Sequence, residues 1–190
     1  MRKKMAALVV VCVAGLCQVA AQNAHLVPFG SSGNGVEIAI VNTSSIPLAN
    51  IKIEATHVPS WLRFGAMEER IGQIGANGEA SAVFTFSVDK SAPVNKAHTL
   101  KFVISAPTGE KWTKEITVAI AAPERFELFQ NYPNPFNPST AISYQLSGEG
   151  WVSLKIFDVL GREVAVPVEG ERVAGYHREE WDGTRASSGM

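Results

Sequence analysis

Gln130-Asn131-Tyr132-Pro133-Asn134-Pro135-Phe136-Asn137-Pro138-Ser139-Thr140 is the stretch on which the reading of this chain turns. Each of its prolines fixes φ near about −65° and removes an amide donor, and each residue before a proline is pushed to extended conformations, so helix is excluded. Read as ordered, the stretch is a bend in which Asn134 and Asn137 fold their amides onto nearby backbone while Tyr132 and Phe136 pin it against a sheet. Its composition alone suits a loose proline-rich linker equally well.

Toward the C-terminus the pattern becomes that of strands. Ile142, Tyr144 and Leu146 repeat at period two, and Val152-Ser153-Leu154-Lys155-Ile156-Phe157 follows them. Asp158-Val159-Leu160-Gly161 has the form of a tight turn, with Asp158 accepting from the backbone two residues on and Gly161 supplying the positive φ that closes a hairpin before Arg162. Gly175 serves a similar turn. Trp181 caps a small core, and Asp182-Gly183 reverses the chain after it.

Toward the N-terminus the alternation is almost continuous. The predicted strands are residues 36–40, 51–54, 82–88, 100–104 and 116–120, each with one apolar parity, such as Phe84, Phe86 and Val88 or Leu100, Phe102 and Ile104. Turn signals separate them at residues 42–45, 75–78, 90–93 and 107–110. One possible helix, from Gly65 to Gly72 with Met67 and Ile71 four apart, is short and closed by glycine. Val58-Pro59-Ser60-Trp61-Leu62 reads as an edge crossing that drops Trp61 between two sheets. Trp61 and Trp112 are the candidates for a sugar-stacking platform. The expected fold is all-β, two antiparallel β-sandwich (Ig-like) domains in tandem after a signal peptide, with boundaries at residues 1–21, 23–122 and 123–190.

The leader is read from Met1-Arg2-Lys3-Lys4, an apolar run over residues 5–16, and Val19-Ala20-Ala21 before Gln22. That run is about twelve residues, short of the roughly twenty a spanning helix needs, so no stable membrane span is expected. Both cysteines, Cys12 and Cys17, lie inside it, so the mature chain has no disulfide, thiolate metal site or cysteine nucleophile. Three of the 17 Lys+Arg also leave with the leader, and the 14 that remain against 18 Asp+Glu give no basic excess for nucleic acid.

Taken in order, the proline-rich bend, the run at 152–157, Asp158-Val159-Leu160-Gly161-Arg162-Glu163-Val164, Gly175-Tyr176-His177 and Trp181-Asp182-Gly183 resemble the C-terminal sorting domain of cargo of the type IX secretion system of Bacteroidetes-like bacteria. That domain is a small β-sandwich related to the Ig-like module of flagellar hook-capping proteins. The likeness covers about Phe126 to Met190. The preceding region is similar, more loosely, to bacterial Ig-like modules through Trp61-Leu62, Gly78-Glu79 and Phe84-Thr85-Phe86-Ser87-Val88. The resemblance implies a non-enzymatic secreted or outer-membrane surface protein that travels via the periplasm. Its implied partners are the type IX outer-membrane translocon and its sortase-like protease, with attachment to surface lipopolysaccharide. The implied sorting-motif residues are Tyr132, Pro133, Asn134, Pro135, Phe136, Asn137, Pro138, Asp158, Gly161, Arg162, Trp181 and Asp182. The other reading is a carbohydrate- or protein-binding adhesion module in the first sandwich.

Two departures from that pattern stand out. Glu179 takes an inward parity usually held by an apolar residue, so either its strand is an edge or the register shifts by one. The chain also stops at Ser187-Ser188-Gly189-Met190, before the closing strand that the resemblance leads one to expect. No nucleophile elbow, zinc motif or paired-carboxylate spacing occurs, so no catalytic residue, metal site or cofactor is expected.

Overall fold

The structure, a computed structural model, describes Val9–Val13 and residues 24–185. Among these residues every regular element but one is a strand, and the chain separates into two compact units, residues 1–121 and 122–190.

Unit 1 contains nine strands: β1 Val9–Val13, β2 His25–Val27, β3 Asn34–Val41, β4 Leu48–His57, β5 Leu62–Phe64, β6 Glu68–Ile74, β7 Glu79–Val88, β8 Ala97–Ser105 and β9 Lys111–Ile120. They form a four-stranded sheet in the order β1-β3-β7-β5 and a five-stranded sheet in the order β2-β9-β8-β4-β6. Pairing is antiparallel except for β1 with β3 and β2 with β9. The period-two parity shows why these segments are strands. β7 buries Ala82, Phe84, Phe86 and Val88, β8 buries Leu100, Phe102 and Ile104, and β9 buries Ile116, Val118 and Ile120. Phe84 of one sheet meets Phe102 of the other at 5.1 Å, and Phe64 packs edge-on against both at 5.8 Å. Each such buried side chain contributes on the order of 1.5–3 kcal/mol.

Residues 68–74 form a strand and not a helix, because β4 offers them an antiparallel ladder from Leu48↔Ile74 to Glu54↔Glu68, interrupted only at Asn50 and Gly72, and Ile71 and Ile74 are buried. Asn42, fully buried, ties the loops of this unit together. Its Nδ2 donates to the carbonyls of Ile46 (2.8 Å) and Gly75 (2.9 Å), and its Oδ1 accepts from the Ser44 amide and hydroxyl. Within the segment read as a signal peptide, Val9–Val13 is a strand parallel to β3. A run of β-branched valines suits a sheet edge as well as it suits an apolar leader. Residues 1–8 and 14–21 lie outside the described residues.

Unit 2 contains β10 Glu127–Leu128, β11 Ser139–Leu146, β12 Gly150–Phe157, β13 Glu163–Arg172 and β14 Gly175–Asp182, followed by a 3-10 turn at Gly183–Arg185. Its strands form a three-stranded sheet in the order β10-β11-β14 and a two-stranded sheet of β12 and β13. Glu179 sits opposite Ile142 in an unbroken β11–β14 register. Its strand is the edge, and the half-exposed carboxylate turns toward Arg172 at 3.8 Å, so an edge position and not a slipped register accommodates it.

Candidate functional site

The bend at residues 130–140 is ordered, and its order comes from Asn131 and Thr140. The Asn131 amide donates to the Thr140 hydroxyl (3.0 Å), and the buried Thr140 hydroxyl donates to the Pro133 carbonyl (2.8 Å). Tyr132 and Ala141 exchange backbone hydrogen bonds at 3.0 Å, which splices the bend onto β11. The peptide bonds before Pro133, Pro135 and Pro138 are cis. Asn134 and Asn137 make none of the amide-to-backbone bonds expected of them among the described contacts. Tyr132 does not pin the bend either, because its ring stands 81% exposed. Phe136 alone does so, meeting Trp181 edge-on at 5.4 Å. Gly183 lies close beneath this pair: a Cβ there would lie 3.0 Å from the Phe136 ring and 3.2 Å from the Pro138 carbonyl, so a side chain would press on both.

The turn after β12 is stereochemically complete. Asp158 Oδ1 accepts from the amides of Leu160 (2.9 Å) and Arg162 (3.0 Å), Oδ2 accepts from Arg162 Nε (2.7 Å), and Gly161 takes φ +78°. These bonds, led by the Arg162 amide, hold the Asp158 carboxyl below its usual range. Asp182 caps the last turn in the same manner, its Oδ1 accepting from the Thr184 amide at 2.9 Å and from the Thr184 hydroxyl.

These pieces surround one feature that their spacing in sequence does not announce. A groove of 860 Å³ runs between the two sheets of unit 2. One wall is Leu128, Phe129 and Ile142; the other is Leu154, Ile156 and Phe157; Phe136 and Trp181 are among the remaining lining residues. Its size falls within the range of ligand sites. The charges that line it are paired with one another: Lys155 Nζ lies 2.7 Å from Glu163, and Arg162 Nε 2.7 Å from Asp158. The Lys155 ammonium is accordingly held above its usual pKa by the Glu163 hydrogen bond. Of the implied motif residues, Phe136, Asp158, Arg162 and Trp181 line this groove; Tyr132, Pro133, Asn134, Pro135, Asn137, Pro138, Gly161 and Asp182 do not.

The cleft in unit 1 lined by His25, Val36, Phe86, Leu100 and Val118 measures only 80 Å³. Trp61 is 9% exposed and packs edge-on against His98 at 4.9 Å, so it presents no face to a sugar, and Trp112 is half-buried at the start of β9. Among the described residues no group of three His, Cys, Asp or Glu side chains gathers as a metal site. No described helix is long and apolar enough to cross a membrane.

No family model and no curated protein matches this chain. Solved structures that overlap it include the CupB2 chaperone of Pseudomonas aeruginosa, at 14% identity over 86% of this chain and 88% of that one, with a TM-score of 0.30. The CsuC–CsuE chaperone–tip adhesion subunit pre-assembly complex of Acinetobacter baumannii overlaps at 8% identity over 86% and 87%, with a TM-score of 0.33. The secreted serine protease VesC of Vibrio cholerae does so at 9% identity over 86% of this chain and 46% of its own, with a TM-score of 0.35. Overlaps this weak carry no functional argument; those named include chaperones as well as a protease.

The resemblance to type IX sorting domains is corrected by these findings: no family model matches, and the overlapping structures named are chaperones, a chaperone complex and a protease. With it go the type IX translocon, the sortase-like protease and lipopolysaccharide attachment as partners, the role of sorting cargo, and the adhesion module built on Trp61 and Trp112. The physical reason lies in the residues that carried the likeness. Asp158 and Gly161 close a turn, Asp182 caps one, and the prolines shape a bend, which are demands that any small antiparallel sheet makes of its connections. Such residues report stereochemistry and do not discriminate one family of β proteins from another.

Proposed function

We propose that this chain is an exported, non-enzymatic β protein that binds another polypeptide in the apolar groove of unit 2. In this reading it is built as two Ig-like sandwiches in tandem, residues 23–122 and 123–190, behind a signal peptide at residues 1–21. The observation that carries the binding role is the state of the second unit's interior. Among the described residues, twenty-four apolar side chains are buried in unit 1 and only four, Ala141, Tyr144, Leu146 and Val168, in unit 2. Eleven of the fifteen large apolar side chains left exposed belong to unit 2. Apolar surface gathered in a concave place is a site for a partner, and the self-paired charges around it select against a charged one.

An environment-sensitive apolar dye tests this reading on the full chain. Saturable fluorescence that falls at least about fivefold in a Leu154→Asp/Val164→Asp double variant is expected, since both positions line the groove. Fluorescence equal in the two proteins would place the apolar surface elsewhere and end the proposal. Export is tested separately by sequencing the N-terminus of the secreted product, which should begin at Gln22.

A further inference from the structure

The free edge beside the groove specifies how the partner is held. Among the described residues β12 pairs only with β13, so each strand of this sheet keeps one open edge. The two edges differ. β13 carries Pro167, which has no amide to donate, and the ladder is irregular around it, with Leu154↔Val168 followed by Ile156↔Ala165. Proline and bulges of this kind blunt an edge against pairing. β12, reading Gly150-Trp151-Val152-Ser153-Leu154-Lys155-Ile156-Phe157, has neither proline nor an interior glycine. Its alternate residues Val152, Leu154 and Ile156 are half-buried, the state of a face whose covering layer is incomplete, and Leu154 and Ile156 line the groove itself.

We infer that β12 accepts an extended strand from another polypeptide, one with apolar side chains at alternate positions and no net charge, which pairs with its open edge and places those side chains between the two sheets. The proposal rests on the reading of the groove as a polypeptide site. Three observations converge on this occupant. An unpaired edge demands a partner with backbone donors and acceptors in strand geometry. The walls, Leu128, Phe129, Ile142, Leu154, Ile156 and Phe157, accept apolar side chains, which a strand presents every second residue. The Lys155–Glu163 and Asp158–Arg162 pairs leave the lining with no surplus charge to select a charged sequence. Among the described residues of this unit only four apolar side chains are buried, and an added strand would extend the layer that covers the half-buried face of β12.

The test uses the full chain and three synthetic eight-residue peptides: one alternating valine or phenylalanine with threonine, one of the same composition without alternation, and the alternating one N-methylated at every second amide. The expected result is binding of the first, at least about tenfold weaker binding of the other two, and slowed amide exchange confined to residues 151–157. Equal binding of all three peptides without amide protection would overturn strand addition while leaving the groove as an apolar polypeptide site. Binding by none would overturn both readings. Protection of residues 151–157 in the chain alone, rising with its concentration, would assign the edge to a second copy and overturn the proposal.

Discussion

Unit 1 and unit 2 are made from the same materials, alternating strands and turn-forming loops, yet they solve the problem of burial differently. Unit 1 closes a sheet of β3, β7 and β5, joined in this structure by β1 from the segment read as a leader, over a five-stranded one and leaves Phe84, Phe102 and Ile104 with 2% exposure or less. Unit 2 sets three strands against two, and the groove-lining Leu154 and Ile156 are only half-buried. Strand number makes the difference. A sheet of two strands has too little inner face to cover three, so apolar side chains that alternate correctly still find no opposing layer. A strand can therefore be correctly patterned and still be unfinished.

The largest effect expected from this contrast is in the cores. Phe102→Ala should cost unit 1 about 3–5 kcal/mol, because its neighbours Phe64 and Phe84 belong to the opposite sheet and cannot collapse into the gap. Leu154→Ala in unit 2, half-exposed already, should cost under about 1 kcal/mol. Denaturant unfolding monitored by unit-specific probes compares them; similar losses would show that the two interiors are equally packed. Next is the buried amide of unit 1. Asn42→Ala leaves the Gly75 and Ile46 carbonyls and the Ser44 amide without their partner and should lose about 1–3 kcal/mol. A loss within about 0.5 kcal/mol would mean that water replaces the side chain at no net cost and that loop anchoring does not distinguish this unit.

A smaller effect is expected at the turn after β12. Gly161→Ala must place a Cβ at φ +78° and should destabilise unit 2 by about 1 kcal/mol, measured as a lower midpoint of its transition. The smallest is a pH effect at the same turn. The folded Asp158 carboxyl lies below its ordinary value of 3.8, so its contribution is complete above that pH and is lost as pH falls through the lower folded value. Amide exchange at Leu160 and Arg162 should accelerate only below about pH 4, beyond the intrinsic pH dependence. Acceleration already at pH 5 to 6 would assign the turn's order to something other than this carboxylate.

Much of the architecture was legible in single residues and their spacing. The parity of Phe84, Phe86 and Val88 identified β7, that of Leu100, Phe102 and Ile104 identified β8, and Asp158 with Gly161 identified the turn down to its i to i+2 hydrogen bond. β6 was obscured because Glu68, Glu69 and Arg70 mask the alternation, and the ladder that makes it a strand belongs to β4. The anchoring of the bend was assigned to Asn134, Asn137, Tyr132 and Phe136; of these Phe136 alone takes part, and Asn131 with Thr140 does the rest. Which amide reaches which carbonyl depends on the path of the chain and not on residue type. The groove was not visible at all, since its walls come from segments that only the pairing of sheets brings face to face.

By itself the sequence determined that the chain is predominantly β, where many of its reversals fall, and which parity of the predicted strands is apolar, because those properties follow from neighbours one, two or four residues apart. Only the tertiary structure decided that one unit is closed and the other open, that Tyr132 stands exposed, and that among the described residues β12 has an edge without a partner. These are statements about surfaces that meet across the fold, and the number of strands available to cover a face is a property of the whole unit, carried by no single stretch of it.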